Sequence, residues 1–168
     1  MSKVRLNLGC GKDVRDGYIN VDDGSMWRGS TLPDNVIIHN LSVYPWPFAD
    51  NSADEIFMWH VLEHLPDTGN VMSEVKRILK PGGRFRGQVP YGPSHDGRTQ
   101  WQHCKYFVAR SFEVMAIDFG MKIIVAKNGT HSVNWRHTLR NLVPFREFLA
   151  LAGWSEAFDK VDFELEKL

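Results

Sequence analysis

The stretch LNLGCGKDVRDGYINVDD, residues 6–23, constrains the fold more than any other. Its two apolar runs, Val4–Leu8 and Tyr18–Val21, have the composition of short strands, the first ending at Gly9 and the second at Asp22. The connection from Gly9 to Gly17 has room for about one turn of helix, whereas a full crossover between parallel strands takes about a dozen residues or more. That shortness bears on the ligand as well as the fold. A dinucleotide fingerprint needs G-x-G-x-x-G opening a long helix, with an acidic residue about 20 positions later. Here Val14 stands where the third glycine belongs, and Asp22 follows Gly11 too soon. What remains is a glycine turn that lets backbone approach a ligand, and a carboxylate able to accept two hydrogen bonds from a ribose diol. A nucleoside without a pyrophosphate fits that pair of features. The structural alternative is a tight turn closed by a strand-end aspartate.

Downstream, Val36–His39 reads as a third strand and Glu55–Trp59 as a buried fourth, joined by the proline-rich VYPWPFADNS. His60–Leu65 starts helical. Asn70–Leu79 is amphipathic, with Val71, Val75, Ile78 and Leu79 on one face and a stop signal at Lys80-Pro81-Gly82-Gly83. RFRGQVP predicts a strand, Ser111–Phe119 a helix closed by Gly120, Met121–Ala126 a strand and Pro144–Leu151 a helix. The tail DKVDFELEKL alternates Val161, Phe163 and Leu165 against charges, the period of a strand with one solvated face. Strands alternating with helices imply an α/β sheet, mostly parallel, with a late antiparallel strand and helices on both faces.

A chain of 168 residues suits a single domain, residues 1–168. Its 20 lysines and arginines balance 20 aspartates and glutamates, so nothing draws it strongly to nucleic acid or anionic lipid. The basic run RHTLRNLVPFR, Arg136 to Arg146, reads as a solvated face flanking a helix. Two cysteines far apart, Cys10 and Cys104, fit a reducing compartment. With no apolar signal core and no run of bilayer length, a soluble cytoplasmic protein is the expectation.

Taken in order and spacing, LNLGCG, GYINVD, PWPF, NSADEI, HVLEHL and LKPGG resemble the class I S-adenosylmethionine-dependent methyltransferases, in their small form. The resemblance is continuous from Val4 to about Pro90 and looser through QHCKYFVARSFEVMAIDFGM. It implies a Rossmann-like methyltransferase sheet with a shortened first crossover helix, and S-adenosyl-L-methionine as methyl donor. It further implies that Gly9 and Gly11, with Leu8 and Cys10 around them, face the methionine end of the donor and that Asp22 holds its ribose. Asn40, where relatives commonly have aspartate, and Leu41 would meet the adenine, and Trp59 and His60 would stand beside the sulfonium. Asn7 replaces an acidic residue that many such enzymes carry in the first strand.

In-line methyl transfer needs alignment and exclusion of water, and a base only where the acceptor must lose a proton. His60 is the first catalytic candidate and His103, in the polar, aromatic-studded SHDGRTQWQHCKYF, the second. His60-x-x-Glu63-His64 also matches a zinc-peptidase signature, with its third ligand to be sought at Glu74 or among downstream histidines. The chain is small for such an enzyme, and no metal ligand is assigned. The motifs of amino-methylating and cytosine-C5 DNA enzymes are missing, which makes nucleic acid an unlikely substrate and favours a small-molecule or sugar-type acceptor. A methyltransferase-like module that binds cofactor or partner without catalysis is the competing class.

Overall fold

The computed structural model describes residues 3–27, 31–129 and 158–168. Its strands are β1 (Arg5–Leu8), β2 (Ile19–Asp22), β3 (Val36–Ile38), β4 (Ala53–Trp59), β5 (Leu79–Pro90), β6 (Met121–Gly129) and β7 (Lys160–Lys167). They form one sheet in the order β3-β2-β1-β4-β5-β7-β6. Pairing is parallel from β3 through β5, while β7 runs antiparallel to both its neighbours. The described helices are α1 (Thr68–Ile78), the short α2 (His95–Thr99) and α3 (Ala109–Asp118). None is long and apolar enough to cross a membrane.

The link between β1 and β2 contains turns and no helix, shorter in structure than the single turn expected. Two buried amides take the place of a crossover helix. Asn7 in β1 donates through Nδ2 to Asp13 O at 2.8 Å and to Asn20 Oδ1 at 2.9 Å. Asn20 in β2 receives a further bond from Arg15 N and donates to the carbonyls of Arg15 and Tyr18. A carboxylate at position 7 has no hydrogen to give either acceptor, which explains the amide at that site.

Other expectations need correction. His60–Leu65 does not start a helix: His60 has φ +53°, and only a 3-10 turn at Leu62–His64 follows. Lys80-Pro81-Gly82-Gly83 ends α1 but falls within β5, where the register against β4 jumps from Ala53↔Leu79 to Glu55↔Arg84. Pro144–Leu151 and the whole of RHTLRNLVPFR, like the rest of 130–157, lie outside the described residues.

Helix α1 starts at Asp67, whose Oδ1 accepts from Asn70 N at 2.9 Å, and buries Val71, Met72, Val75 and Ile78. It also anchors the proline-rich connection. Trp46, 2% exposed, donates its backbone N–H to Glu74 Oε2 at 2.7 Å and its indole N–H to Leu41 O at 3.1 Å. Arg77 pairs with Glu74 and Asp50 and donates to the carbonyls of Trp46 and Phe48. On the other half of the sheet, Phe163 of β7 stacks on Phe112 of α3 at 4.1 Å and meets Phe85 of β5 edge-on at 5.0 Å. Phe107 is buried in the same core.

Candidate active site

In a parallel sheet of this order the chain turns back between β1 and β4, and ligands collect beyond the carboxyl ends of the strands at that switch point. The carboxyl ends of β1, β2, β3 and β4 deliver Gly9, Asp22, Asn40 and His60 to one edge.

Asp22 is 6% exposed, and each of its oxygens accepts a single backbone hydrogen bond, Oδ2 from Gly11 N at 2.8 Å and Oδ1 from Gly24 N at 2.9 Å. A second lone-pair direction on each oxygen remains. Gly9 has φ +68°, and a Cβ there would lie 2.5 Å from Val61 Cγ2. The glycine is therefore needed for β1 and the turn after β4 to touch. Gly11, at φ +49°, meets only Met26 Cγ at 3.8 Å, so the loop is open on that side. Cys10 is buried and its backbone N–H bonds Val21 O. Burial, with Asp22 and then Asp13 adding to it, pushes the thiol up to about 11 and keeps it neutral. Leu8 and Leu41 are buried in the core beneath this edge. Asn40 is exposed, with its Oδ1 accepting from Ser42 N at 2.9 Å.

Trp59 is 44% exposed and packs edge-on against the His60 ring at 5.8 Å. His60 stands between two oxygens, its Nε2 3.2 Å from Gln88 Oε1 and its Nδ1 3.3 Å from Glu63 Oε1. The Glu63 contact is within ion-pair reach but outside hydrogen-bond geometry. Burial works to lower the His60 pKa, yet Glu63, Gln88 and Asp96 outweigh it and hold His60 above the ordinary imidazole value. Gln88, 1% exposed, is fixed in turn by donating to Asp162 Oδ1 at 2.7 Å. His103 is buried, bonds Gly97 O through Nδ1 at 3.1 Å and packs edge-on against His64 at 4.9 Å. Glu74, considered above as a zinc ligand, is instead committed to Arg77 and Trp46.

Sequence reasoning missed Val61, Gln88 and Asp162, whose importance comes from contacts across the sheet that no local pattern announces. Two clefts are present among the described residues, one of about 190 Å³ near Lys3, Asp54 and Lys80, the other of about 230 Å³ bordered by Phe57, Trp59, Arg86, Asp162 and Phe163. Neither is lined by Gly9, Gly11 or Asp22. The glycine edge is the better candidate because it gathers backbone donors, a buried carboxylate and a histidine at the switch point.

Residues 25–86 match the family described as the methyltransferase domain. Dimethylglycine N-methyltransferase of Parasynechococcus marenigrum is 34% identical over 80 residues, 48% of this chain and 26% of that protein. The chain thus spans about a quarter of that relative's length. An S-adenosylmethionine-dependent methyltransferase from Mesorhizobium loti superposes with TM-score 0.69 at 14% identity, over 99% of this chain and 91% of that one. Phosphoethanolamine N-methyltransferase 2 of Haemonchus contortus, solved with S-adenosyl-L-methionine, gives 0.62 at 18% identity, over 99% of this chain and 49% of that one. The family match covers residues 25–86, and the likeness to the solved methyltransferases shows that the chain shares their fold.

Proposed function

We propose that the chain binds S-adenosyl-L-methionine at the carboxyl edge between β1 and β4 and catalyses methyl transfer to a small-molecule acceptor. The observation that carries this reading is Asp22: a nearly buried carboxylate with one backbone bond on each oxygen, beside a glycine loop left open at Gly11. These residues fit the donor. Asp22 would hold the ribose hydroxyls, Gly9 and Gly11 with Leu8 and Cys10 would shape the methionine end, and Asn40 with Leu41 would border the adenine. The neutral Cys10 thiol adds no charge against the donor's carboxylate. Bound there, S-adenosylmethionine supplies an electrophilic methyl on a sulfonium.

The chain's own residues align the partners and exclude water. Trp59, exposed at the end of β4, would offer an apolar face to the methyl. His60, held at Nε2 by Gln88 Oε1, is the group at this edge suited to handle an acceptor proton. A small acceptor is supported by the relative named for dimethylglycine.

Isothermal calorimetry with S-adenosylmethionine and S-adenosylhomocysteine tests the reading. Both are expected to bind the wild type. Asp22→Ala should weaken binding at least tenfold through the lost ribose hydrogen bonds, and His60→Ala should change it less than threefold. Folded wild-type protein that binds neither ligand overturns the reading, and equal losses in the two variants overturn the division of roles. Binding without any methyl transfer to a broad acceptor panel would favour the non-catalytic module.

A further inference from the structure

The histidines that the zinc-peptidase signature singles out do not pair as it requires, because His60 turns away at positive φ before the 3-10 turn. A different trio comes together. One ligand atom each from Glu63, His64 and His103 lies within 4.8 Å of the other two, and His64 Nε2 is 4.0 Å from Glu63 Oε1. We propose that Glu63, His64 and His103 form a site for one divalent transition-metal ion of the zinc type.

Three independent observations support it. The first is the state of Glu63. Its side chain is 2% exposed, and neither carboxylate oxygen has a hydrogen-bond partner among the described residues. Burying a carboxylate in that condition is costly unless a cation neutralises it, and the neighbouring imidazoles approach without hydrogen-bond geometry. The second is the orientation of the histidines. His64 Nδ1 faces Gln102 O at 3.3 Å and His103 Nδ1 faces Gly97 O at 3.1 Å. Each ring then donates Nδ1–H to a backbone carbonyl and keeps a bare Nε2 lone pair, the arrangement that orients metal-binding imidazoles. The third is scaffolding. Glu63 O accepts from Cys104 N at 2.8 Å and from Lys105 N at 3.2 Å, tying the turn that carries Glu63 and His64 to the loop that carries His103.

Ligand atoms around tetrahedral zinc lie about 3.3–3.5 Å apart, so closing from the present spacing needs shifts of about 1 Å. Two imidazoles and a carboxylate suit Zn²⁺, Co²⁺ or Mn²⁺ better than the all-oxygen preference of Ca²⁺. The His64 side chain is 36% exposed, leaving a coordination position reachable by water or an acceptor oxygen.

The test is metal uptake by metal-depleted protein without S-adenosylmethionine, so that its outcome stands apart from cofactor binding. Zn²⁺ calorimetry should show one site, and Co²⁺ should bring visible d–d absorption of a low-coordinate N/O site. Glu63→Gln and His103→Ala should each lower affinity at least tenfold, whereas His95→Ala and Cys104→Ser, at exposed neighbours, should leave it unchanged. Circular dichroism checks that each variant folds. Should a variant at buried Glu63 or His103 not fold, His64→Ala, at the half-exposed ligand, must show the same loss. Failure of the folded wild type to take up either ion, or uptake that Cys104→Ser abolishes and His64→Ala spares, overturns the proposal.

Discussion

Asn7 shows how one side chain can carry the work of a missing helix. Both of its amide hydrogens are spent, on Asp13 O and Asn20 Oδ1, and it is 2% exposed. Replacing it by the isosteric aspartate keeps the volume but removes both donors and sets a buried carboxylate against two oxygens. Asn7→Asp should therefore cost about 1–3 kcal/mol in urea unfolding. A variant as stable as wild type would mean that the amide pair does not hold the β1–β2 loop. The same scale explains what was legible in the site. Gly9, Gly11 and Asp22 stand out because a turn and a strand-end carboxylate are local features. Val61 and Gln88 do not, since their roles depend on a partner strand. Gly9 is read in sequence as backbone close to a ligand, and in the structure it also makes room for Val61.

At the scale of elements, the proline-rich connection is held less by its own chemistry than by α1. Glu74 and Arg77, one turn apart on that helix, reach the backbone of Trp46 and Phe48. The Arg77 guanidinium lowers the Glu74 pKa below its ordinary value, against burial, with the Trp46 N–H assisting. A carboxyl whose folded pKa is depressed adds stability above its unfolded pKa and loses it as the pH falls through the folded one. The melting-temperature gap between wild type and Glu74→Gln should accordingly be full near neutrality and shrink through the acid range below the usual glutamate pKa. A gap independent of pH would show that the charge is not what matters. The periodicity of α1 was plain in sequence because its core face is continuous. The 3-10 turn at Leu62–His64 was not, since a left-handed His60 is imposed by the surroundings of the edge, including the bond from its N–H to Gln88 O, rather than by residue preference.

Across the whole molecule, the order of the strands makes the end of the sequence central. β7 comes last in the chain yet lies between β5 and β6, so it joins β6 and α3 to the parallel part of the sheet. Alternation in DKVDFELEKL predicts a strand with one solvated face, and Val161, Phe163 and Leu165 are indeed its buried side. Where that strand inserts is set by pairings distant in sequence, which the alternation alone does not encode. Phe163 sits at the junction, stacked on Phe112 and edge-on to Phe85, opposite Gly87, where a Cβ would come within 3.0 Å of its ring. Truncating it removes contacts to α3 and β5 at once and leaves a cavity where two halves of the fold meet. Phe163→Ala should lower unfolding free energy by about 3–5 kcal/mol, measured by denaturant titration. Because α3 and β6 depend on the same strand, the loss should appear in one cooperative transition, with circular dichroism and tryptophan fluorescence coinciding. A loss below about 1 kcal/mol, or two separated transitions, would show that the β6–β7 half is held to the rest by contacts other than this aromatic cluster.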